Sequence, residues 1–360
     1  MKHVIVIQKL DTVIQCPVQD TLSTMEPFLL AKLLFNFNPD HTYDICILSN
    51  MSSQYNNICI RFITLNELNE LGNKYATVHR IMWGGCLEQI VNRSAQETSL
   101  LFAHLHNWNS TTSNKYYIHT DNRFMPDTAL SYGNALHAIN TYNATLFTQC
   151  AANHIVHTSQ FNTVIFAPLY AIINKYTCTQ LPYNDMPKYK LSFITRGMNY
   201  SDAYRIAYAS GVLNYYHKDA CIIGRIDDKI IQNINVADVG HYKSPTFSKV
   251  IESLNMCALA TFVVGEQSYN KSKLLPNRVA EAIMANVIPI IDYNLLCDAH
   301  QLPEYCIDEL TFICAHDAYH IIDNMCIEKH KLIINALHEW LNLSTLNLVD
   351  TIYNCINENI

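Results

Sequence analysis

Residues 258–294 read ALATFVVGEQSYNKSKLLPNRVAEAIMANVIPIIDYN. The apolar runs Ala258–Val264 and Val287–Ile291 each have the length of a buried strand. Pro276–Ala285, between them, has a proline at its start and the composition of a helix. A strand, a helix and a second strand in this order form a βαβ unit, whose strands are parallel. This stretch therefore predicts a parallel α/β sheet.

The same alternation extends along the rest of the chain. In the second half the pattern predicts strands at Leu191–Thr195 and Ala220–Ile223 and helices at Asp202–Leu213, Ser244–Asn255, Asp323–Leu341 and Thr345–Ile356. In the first half it predicts strands at His3–Gln8, Tyr43–Leu48, Cys59–Thr64, Tyr116–His119 and Asn162–Phe166, and helices at Leu87–His104 and at Glu26–Phe35, with Pro27 in the first turn. We therefore expect two successive doubly wound α/β units, with ligands bound in a cleft at the carboxyl ends of their strands.

Prolines mark the predicted boundary between the two units. Pro182 and Pro187 interrupt the pattern between Tyr170 and Tyr189. We expect one Rossmann-like domain at residues 1–172, a linker at 173–189, a second domain at 190–335 and a C-terminal helical segment at 336–360.

Composition indicates a soluble protein with packed cores. Hydrophobic residues make up 49% of the 360 residues and charged residues 15%, the opposite of a disordered chain. The 13 cysteines form no CxxC pair, and the N-terminus lacks the features of a signal peptide, so we expect a reducing, cytoplasmic compartment. Residues 281–360 hold 2 basic and 12 acidic side chains, so a nucleic-acid surface should avoid them.

Several common catalytic motifs are absent from the sequence. GxGxxG does not follow the first strand of either unit, and GxxxxGK[ST], HExxH and GxSxG do not occur. Dinucleotide oxidoreductases and P-loop enzymes therefore lose support. The pairs His154/His157 and His316/His320 have ligand-like spacing but no third ligand, so we interpret them as helix-surface residues.

Arg278 and Glu281 are the strongest local signal. They lie three residues apart at the predicted helix start, so both project from one face. The arginine can neutralise a phosphate, and the carboxylate can accept hydrogen bonds from ribose hydroxyls. The alternative is an ordinary ion pair on a helix surface.

The segment Ala258–Asn294 resembles the donor-binding segment of the T-even bacteriophage DNA β-glucosyltransferase family. Three further blocks match that family in order: Trp83-Gly84-Gly85, Tyr116–Pro126 (YYIHTDNRFMP) and Phe166–Ile172 (FAPLYAI). The resemblance is distant but collinear over nearly the whole chain. It implies the GT-B architecture, with two facing Rossmann-like domains and a C-terminal helix that crosses back to the first domain.

The resemblance also implies which residues bind the donor sugar nucleotide. The donor site would comprise Glu26, Thr195, Arg196, Arg205, Gly224, Gly265, Tyr269, Arg278 and Glu281. Here the chain departs from the family, in which two arginines four residues apart clamp the diphosphate. Arg205 lies nine residues after Arg196 and could instead be a charge on a helix surface. For Glu26, the alternative is an acid in the first turn of a helix.

The resemblance implies that Asp121 occupies the position of the catalytic base of that family. A carboxylate there could remove the proton from an acceptor hydroxyl, whereas the alternative is an Asp that caps a turn or pairs with Arg123. The acceptor and DNA side would include Met82, Trp83, Gly84, Arg123, Lys243, Lys271 and Lys273. A buried tryptophan and solvated lysines are the alternatives for the loop residues.

The resemblance implies an inverting transfer of glucose from UDP-glucose to 5-hydroxymethylpyrimidines in double-stranded DNA, with 5-hydroxymethylcytosine favoured. It implies a monomer, no protein-bound metal and, at most, a divalent cation held through the diphosphate. Two alternatives stay open. One is the same fold acting on a non-DNA acceptor, which the pI of about 6.1 favours; the other is a non-catalytic binding protein on this scaffold.

Overall fold

The computed structural model describes residues 1–7, 22–47, 60–64, 67–68, 70, 75–82, 115–120, 145–149, 151, 163–198, 203–226, 228–240, 247–265 and 267–357. The chain divides into two compact units. The first holds Met1–Val18, Ser23–Leu169 and Asn347–Ile360, and the second holds Gln19–Leu22 and Tyr170–Leu346.

The first unit contains a parallel sheet of seven strands. In chain order these are β1 Lys2–Ile7, β2 Thr42–Ile47, β3 Ile60–Thr64, β4 Thr77–Met82, β5 Lys115–Thr120, β6 Thr145–Thr148 and β7 Thr163–Phe166. Their order in the sheet is β3-β2-β1-β4-β5-β6-β7. The direction of the winding reverses between β1 and β4, which makes this a doubly wound sheet.

Helix α1, Leu22–Phe37, covers part of the first unit's core. Leu29, Leu30 and Leu33 on this helix are fully buried, as are Val4 and Ile5 on β1. The helix begins four residues earlier than predicted, so Pro27 lies inside it rather than in the first turn. The burial of this apolar face offsets the backbone hydrogen bond that a proline cannot donate.

The second unit contains a parallel sheet of six strands. They are β8 Tyr189–Met198, β9 Ala220–Ile226, β10 Asp238–Gly240, β11 Ala258–Val263, β12 Ile288–Asp292 and β13 Thr311–Phe312. Their order is β10-β9-β8-β11-β12-β13, and the described pairs in both sheets are parallel. Here the winding reverses between β8 and β11.

Helices connect these strands, as a parallel sheet requires. They are α2 Ala203–Tyr216, α3 Asp228–Ile231, α4 Phe247–Cys257, α5 Gln267–Ser272, α6 Arg278–Met284, α7 Glu304–Leu310 and α8 Ala315–Asp323. The prediction of an α/β fold with two doubly wound sheets is confirmed.

The C-terminal helix α9 runs without a break from Ile327 to Asn357. The prediction of two helices, with an interruption between Leu341 and Thr345, is wrong. Thr345 is fully buried, and its hydroxyl shares its single hydrogen between the carbonyls of Leu341 (2.8 Å) and Ala171 (3.0 Å). These bonds satisfy the polar side chain inside a helix, so the polar residues at this point do not end it. Among the described residues, no helix is long and apolar enough to cross a membrane.

Candidate functional site

The candidate donor site lies at the carboxyl edge of the second unit's sheet. Thr195 is close to the end of β8, Gly224 is its partner on β9, and Gly265 follows β11 by two residues. In doubly wound sheets, ligands bind outside the carboxyl ends of the strands where the winding reverses. Thr195 lies near the end of one of the two strands that flank this point, and Gly265 follows the other, so the structure brings these three predicted residues to one edge.

Gly224 permits a close approach between β8 and β9. Its φ angle is +116°, and a Cβ atom built on it would lie 1.8 Å from the carbonyl oxygen of Thr195. Only glycine fits this backbone conformation and this spacing. Gly224 therefore fixes the position of the Thr195 carbonyl.

Gly265 is similarly enclosed at the end of β11. A Cβ atom there would meet Leu295 at 2.4 Å, the Cβ of Tyr269 at 3.0 Å and the Oδ1 atom of Asn270 at 3.1 Å. Tyr269 and Asn270 both belong to α5. The glycine thus allows α5 to pack directly on the strand end, and it places the predicted donor residue Tyr269 at this edge.

Helix α6 carries the predicted pair Arg278 and Glu281. Asn277 precedes its first residue, and the Asn277 carbonyl accepts a hydrogen bond from the Glu281 N–H (3.0 Å). Glu281 is fully buried, while Arg278 is partly exposed. The alternative of an ordinary ion pair on a helix surface is therefore wrong, because a carboxylate is rarely taken out of water without a specific role or partner.

The two candidate diphosphate arginines lie on different elements. Arg196 is on β8, where it is paired with Arg225 of β9 next to a register shift between Arg196 and Met198. Arg205 is on α2 and is only 4% exposed. Its alternative, a charge on a helix surface, is therefore also wrong.

A polar cluster that the sequence analysis missed orders the loop around α5. Asp292, at the end of β12, is 1% exposed and accepts hydrogen bonds from the backbone N–H (3.0 Å) and side-chain amide (3.1 Å) of Asn294, and from Asn270 Nδ2 (3.3 Å). The Oδ1 atom of Asn270 is buried and has no hydrogen-bond partner among the described residues. A carboxylate directly after a strand was the available signal for this cluster.

Lys273 belongs to the same loop. It has a φ angle of +53°, and its Nζ atom donates to the Asn294 carbonyl (2.8 Å). Its own carbonyl accepts from His300 Nε2 (2.9 Å), whose pKa burial lowers to about 4, so that the imidazole is neutral. In this structure Lys273 is thus anchored to the protein, and it is not a freely solvated loop lysine.

Glu26 lies in the first unit, on α1. It is 3% exposed and is the fifth residue of the helix, so the alternative of a first-turn acid is wrong.

Met82 is the last residue of β4. Asp121, Trp83, Gly84, Arg123 and Lys243 lie outside the described residues, as do the side chains of Arg196, Met82 and Lys271.

The structure describes one of the two histidine pairs that have ligand-like spacing. His316 and His320 are exposed on α8, whereas His154 and His157 lie outside the described residues. Within the described ranges, no group of three or more His, Cys, Asp or Glu side chains could hold a metal ion.

A cavity of about 220 Å³ lies elsewhere in the second unit. Its lining includes Asn174, Lys175, Met284, His338 and Glu339, and none of the predicted donor residues. None of its lining residues belongs to a strand, so we do not assign the donor site to it.

Comparison with known proteins gives matches in structure alone. No family model and no curated protein matches the sequence. T4 phage BGT in complex with UDP and Mn²⁺ is 13% identical and covers 99% of this chain and 100% of its own, with a TM-score of 0.64. Anabaena HepE in complex with UDP is 9% identical, with coverage of 99% and 100% and a TM-score of 0.58.

A plant protein shows the same likeness over the whole chain. UGT71G1 of Medicago truncatula, complexed with UDP-glucose, is 9% identical, covers 99% of this chain and 98% of its own, and has a TM-score of 0.52. These likenesses confirm the expected GT-B fold, in agreement with the two doubly wound sheets described above.

Proposed function

We propose that this chain is an inverting UDP-sugar glycosyltransferase that moves glucose from UDP-glucose to a hydroxymethyl group. The observation that carries the proposal is the edge formed by Thr195, Gly224 and Gly265 in the second unit. It lies where a doubly wound sheet binds nucleotides, in a chain that shares its fold with structures that hold UDP or UDP-glucose.

The donor would be held by side chains around this edge. Arg196 and Arg278 bind the diphosphate, since a guanidinium makes planar, bidentate contacts with phosphate oxygens. Glu281 accepts hydrogen bonds from the ribose hydroxyls, and Tyr269 and Arg205 complete the site. Glu26 of the first unit binds hydroxyl groups of the sugar. A divalent cation would bind through the diphosphate rather than through a protein cluster.

The reaction is a single displacement. Asp121 takes the proton of the acceptor hydroxyl while the hydroxyl oxygen forms a bond to the anomeric carbon. The bond from that carbon to the UDP oxygen breaks, and the two arginines stabilise the negative charge that develops on UDP. Attack from the face opposite the leaving group inverts the anomeric configuration.

We propose 5-hydroxymethylpyrimidines in double-stranded DNA as the acceptor, with 5-hydroxymethylcytosine favoured. Two observations support this choice. A solved β-glucosyltransferase with which this chain shares its fold is described as a DNA modifying enzyme. In residues 1–280, basic side chains outnumber acidic ones, 22 to 19. Met82, Trp83 and Gly84 would contact the extruded base, and Arg123, Lys243, Lys271 and Lys273 the backbone. Such an enzyme would act as a monomer in the cytoplasm of a virus-infected cell.

A non-DNA acceptor is the second candidate. The net charge of −7 favours it, because DNA-binding surfaces are usually basic. Transfer of labelled glucose to duplexes with and without 5-hydroxymethylcytosine separates the two candidates. Transfer to the modified duplex alone supports DNA, whereas hydrolysis of UDP-glucose without transfer to either duplex points to another acceptor.

Two variants test the assigned residues. Asp121→Asn should slow sugar transfer by about 10²–10⁴, the usual contribution of acid–base catalysis, without changing UDP affinity. Arg278→Ala should weaken UDP binding by about 1.5–3 kcal/mol, the contribution of a charged hydrogen bond. Lys218→Ala, at an exposed lysine of the second unit, is the control for lost positive charge. Near-normal turnover of a folded Asp121→Asn variant would remove Asp121 from the mechanism.

A further inference from the structure

Helix α5 is too short to hold its own position at the carboxyl edge of the second unit's sheet. It has six residues, Gln267–Ser272, and an isolated helix of that length is unstable in water. Its location therefore depends on contacts with the rest of the second unit. This helix carries Tyr269, which the proposed function assigns to the donor site, so whatever holds α5 also places Tyr269.

Close packing brings α5 and the turn after β12 to the same strand end. A Cβ atom built on Gly265, just after β11, would lie 3.0 Å from the Cβ atom of Tyr269 and 2.4 Å from the side chain of Leu295. Leu295 is fully buried and belongs to the short 3₁₀ turn Tyr293–Leu295, which directly follows β12. The helix and the turn are therefore neighbours at this edge.

The carboxylate of Asp292 joins α5 to that turn. Its Oδ1 atom accepts hydrogen bonds from the backbone N–H (3.0 Å) and the side-chain amide (3.1 Å) of Asn294, and its Oδ2 atom accepts from Asn270 Nδ2 (3.3 Å). Asp292 is the last residue of β12 and is 1% exposed. Hydrogen bonds to an ionised group are stronger than those between neutral groups, and burial strengthens them further. One buried side chain thus links strand, turn and helix.

A second set of contacts fixes the residue that follows α5. Lys273 has a φ angle of +53°, and its Nζ atom donates to the Asn294 carbonyl (2.8 Å). Its own carbonyl accepts from His300 Nε2 (2.9 Å). Asn270 and Lys273 therefore both donate to the segment that Asp292 orders, and the position of α5 depends on that segment.

We propose that Asp292 is a positioning residue of the donor site, which through Asn270 holds α5, and with it Tyr269, where UDP-glucose binds. The inference rests on the proposed function. Asp292 acts through α5 rather than by touching the donor, because its carboxylate is buried and already accepts three hydrogen bonds.

Exchanging the two ends of the hydrogen bond between Asn270 and Asp292 tests the proposal. Asn270→Asp sets two carboxylates against each other where a donor and an acceptor now lie 3.3 Å apart. We expect the repulsion to displace α5 and to weaken UDP binding about tenfold, as for a lost hydrogen bond to a charged group. Adding Asp292→Asn should restore most of the affinity, because the new amide donates to the new carboxylate while its oxygen still accepts from Asn294.

The stoichiometry of binding separates positioning from a structural role. Calorimetric titration with UDP, well below the melting temperature of every variant, measures both the Kd and the fraction of chains that bind. Displacement of α5 raises the Kd, and the KM for UDP-glucose by a similar factor, with the stoichiometry undiminished and a smaller change in kcat. A merely structural role would lower the stoichiometry and kcat in proportion and leave Kd and KM unchanged, and that result would overturn the proposal.

Asn214→Asp is the matched control. Asn214 is an exposed residue of α2 whose amide also makes two hydrogen bonds: it donates to the Asn233 carbonyl (3.1 Å) and accepts from the Asn235 N–H (2.6 Å). It lies near the end of α2, ahead of β9, and so at the amino edge of the sheet. The substitution adds the same charge to the same unit and should leave UDP affinity unchanged.

A second variant covers the case in which Asn270→Asp does not fold. Asn270→Ala removes the hydrogen bond to Asp292 without adding a charge, so it should weaken UDP binding in the same direction by a smaller factor. An Asn270→Ala variant with unchanged UDP affinity would overturn the proposal.

The outcomes distinguish this inference from the proposed function. If the unaltered protein binds UDP and Arg278→Ala weakens that binding, but Asn270→Asp binds UDP normally, Asp292 does not position the donor site. An affinity loss in Asn270→Asp that persists after Asp292→Asn is added also overturns the proposal. Failure of the unaltered protein to bind UDP overturns the proposed function, and the positioning role with it.

Discussion

A single glycine determines whether the edge of the second sheet can form. Gly224 has a φ angle of +116°, and a side chain there would collide with the Thr195 carbonyl. We expect Gly224→Ala to lower the free energy of unfolding by at least the strain of such a backbone, about 1–3 kcal/mol. Urea denaturation of the purified variant measures this loss.

Gly211→Ala is the matched control. Gly211 lies inside α2, and a Cβ atom there meets nothing within 4 Å. The same substitution should therefore raise stability by about 0.5–1 kcal/mol, because alanine loses less backbone entropy in a helix. Equal effects of the two substitutions would contradict our account of Gly224.

Some residues of the candidate site can be recognised from the neighbouring sequence, and others cannot. Arg278, Glu281 and Gly224 stand in a short pattern beside a strand, so the sequence alone was enough to single them out. Asn270 acquires its importance from a partner that is 22 residues away, Asp292. A local pattern holds no information about such pairs, which only the folded sheet brings together.

At the scale of elements, the C-terminal helix α9 contributes side chains to the core of the first unit. Ile352 is fully buried there, and the Tyr353 hydroxyl donates to the Leu34 carbonyl (2.6 Å). We expect Ile352→Ala to destabilise the protein by about 2–5 kcal/mol, through lost burial and the cavity left behind. Hydrogen exchange should show the loss of protection in α1 and β2 of the first unit, which the neighbouring Tyr353 contacts through Leu34 and Tyr43.

The control for this prediction lies on the same helix. Leu343 is 59% exposed, so Leu343→Ala should change stability by no more than about 0.5 kcal/mol. If both substitutions had similar small effects, the last turns of α9 would not be part of the first unit's core.

The sequence analysis missed strand β4 for a physical reason. β4 contains His79 and Arg80 within TVHRIM, and this mixture of polar and apolar residues hides a strand inside a sheet. His79 can be buried there because Thr77 and His119 satisfy both of its nitrogens. Apolar strands such as β11 and β12 need no such partners and were predictable within one or two residues.

At the scale of the whole molecule, the buried histidines make stability depend on pH. Seven described histidines have pKa values lowered chiefly by burial: His3, His41, His79, His119, His300, His330 and His338. Four of them lie in the first unit and three in the second. In the unfolded chain each has a pKa near 6.5, so below that pH the unfolded state binds protons that the folded state does not.

Stability should therefore be complete above about pH 6.5 and fall as the pH drops towards the folded-state values, which are about 2 for His3 and about 3 for His119. Each deeply buried histidine removes about 1.4 kcal/mol per pH unit in this range, so His3, His79 and His119 together remove about 4 kcal/mol per pH unit from the first unit. Because a typical domain has only about 5–15 kcal/mol of stability, we expect the first unit to unfold first on acidification. Urea midpoints at pH 7.5, 6 and 5, with hydrogen exchange to identify the unit that opens, measure this directly. A first unit equally stable at pH 7.5 and pH 5 would show that its histidines are not held neutral by burial.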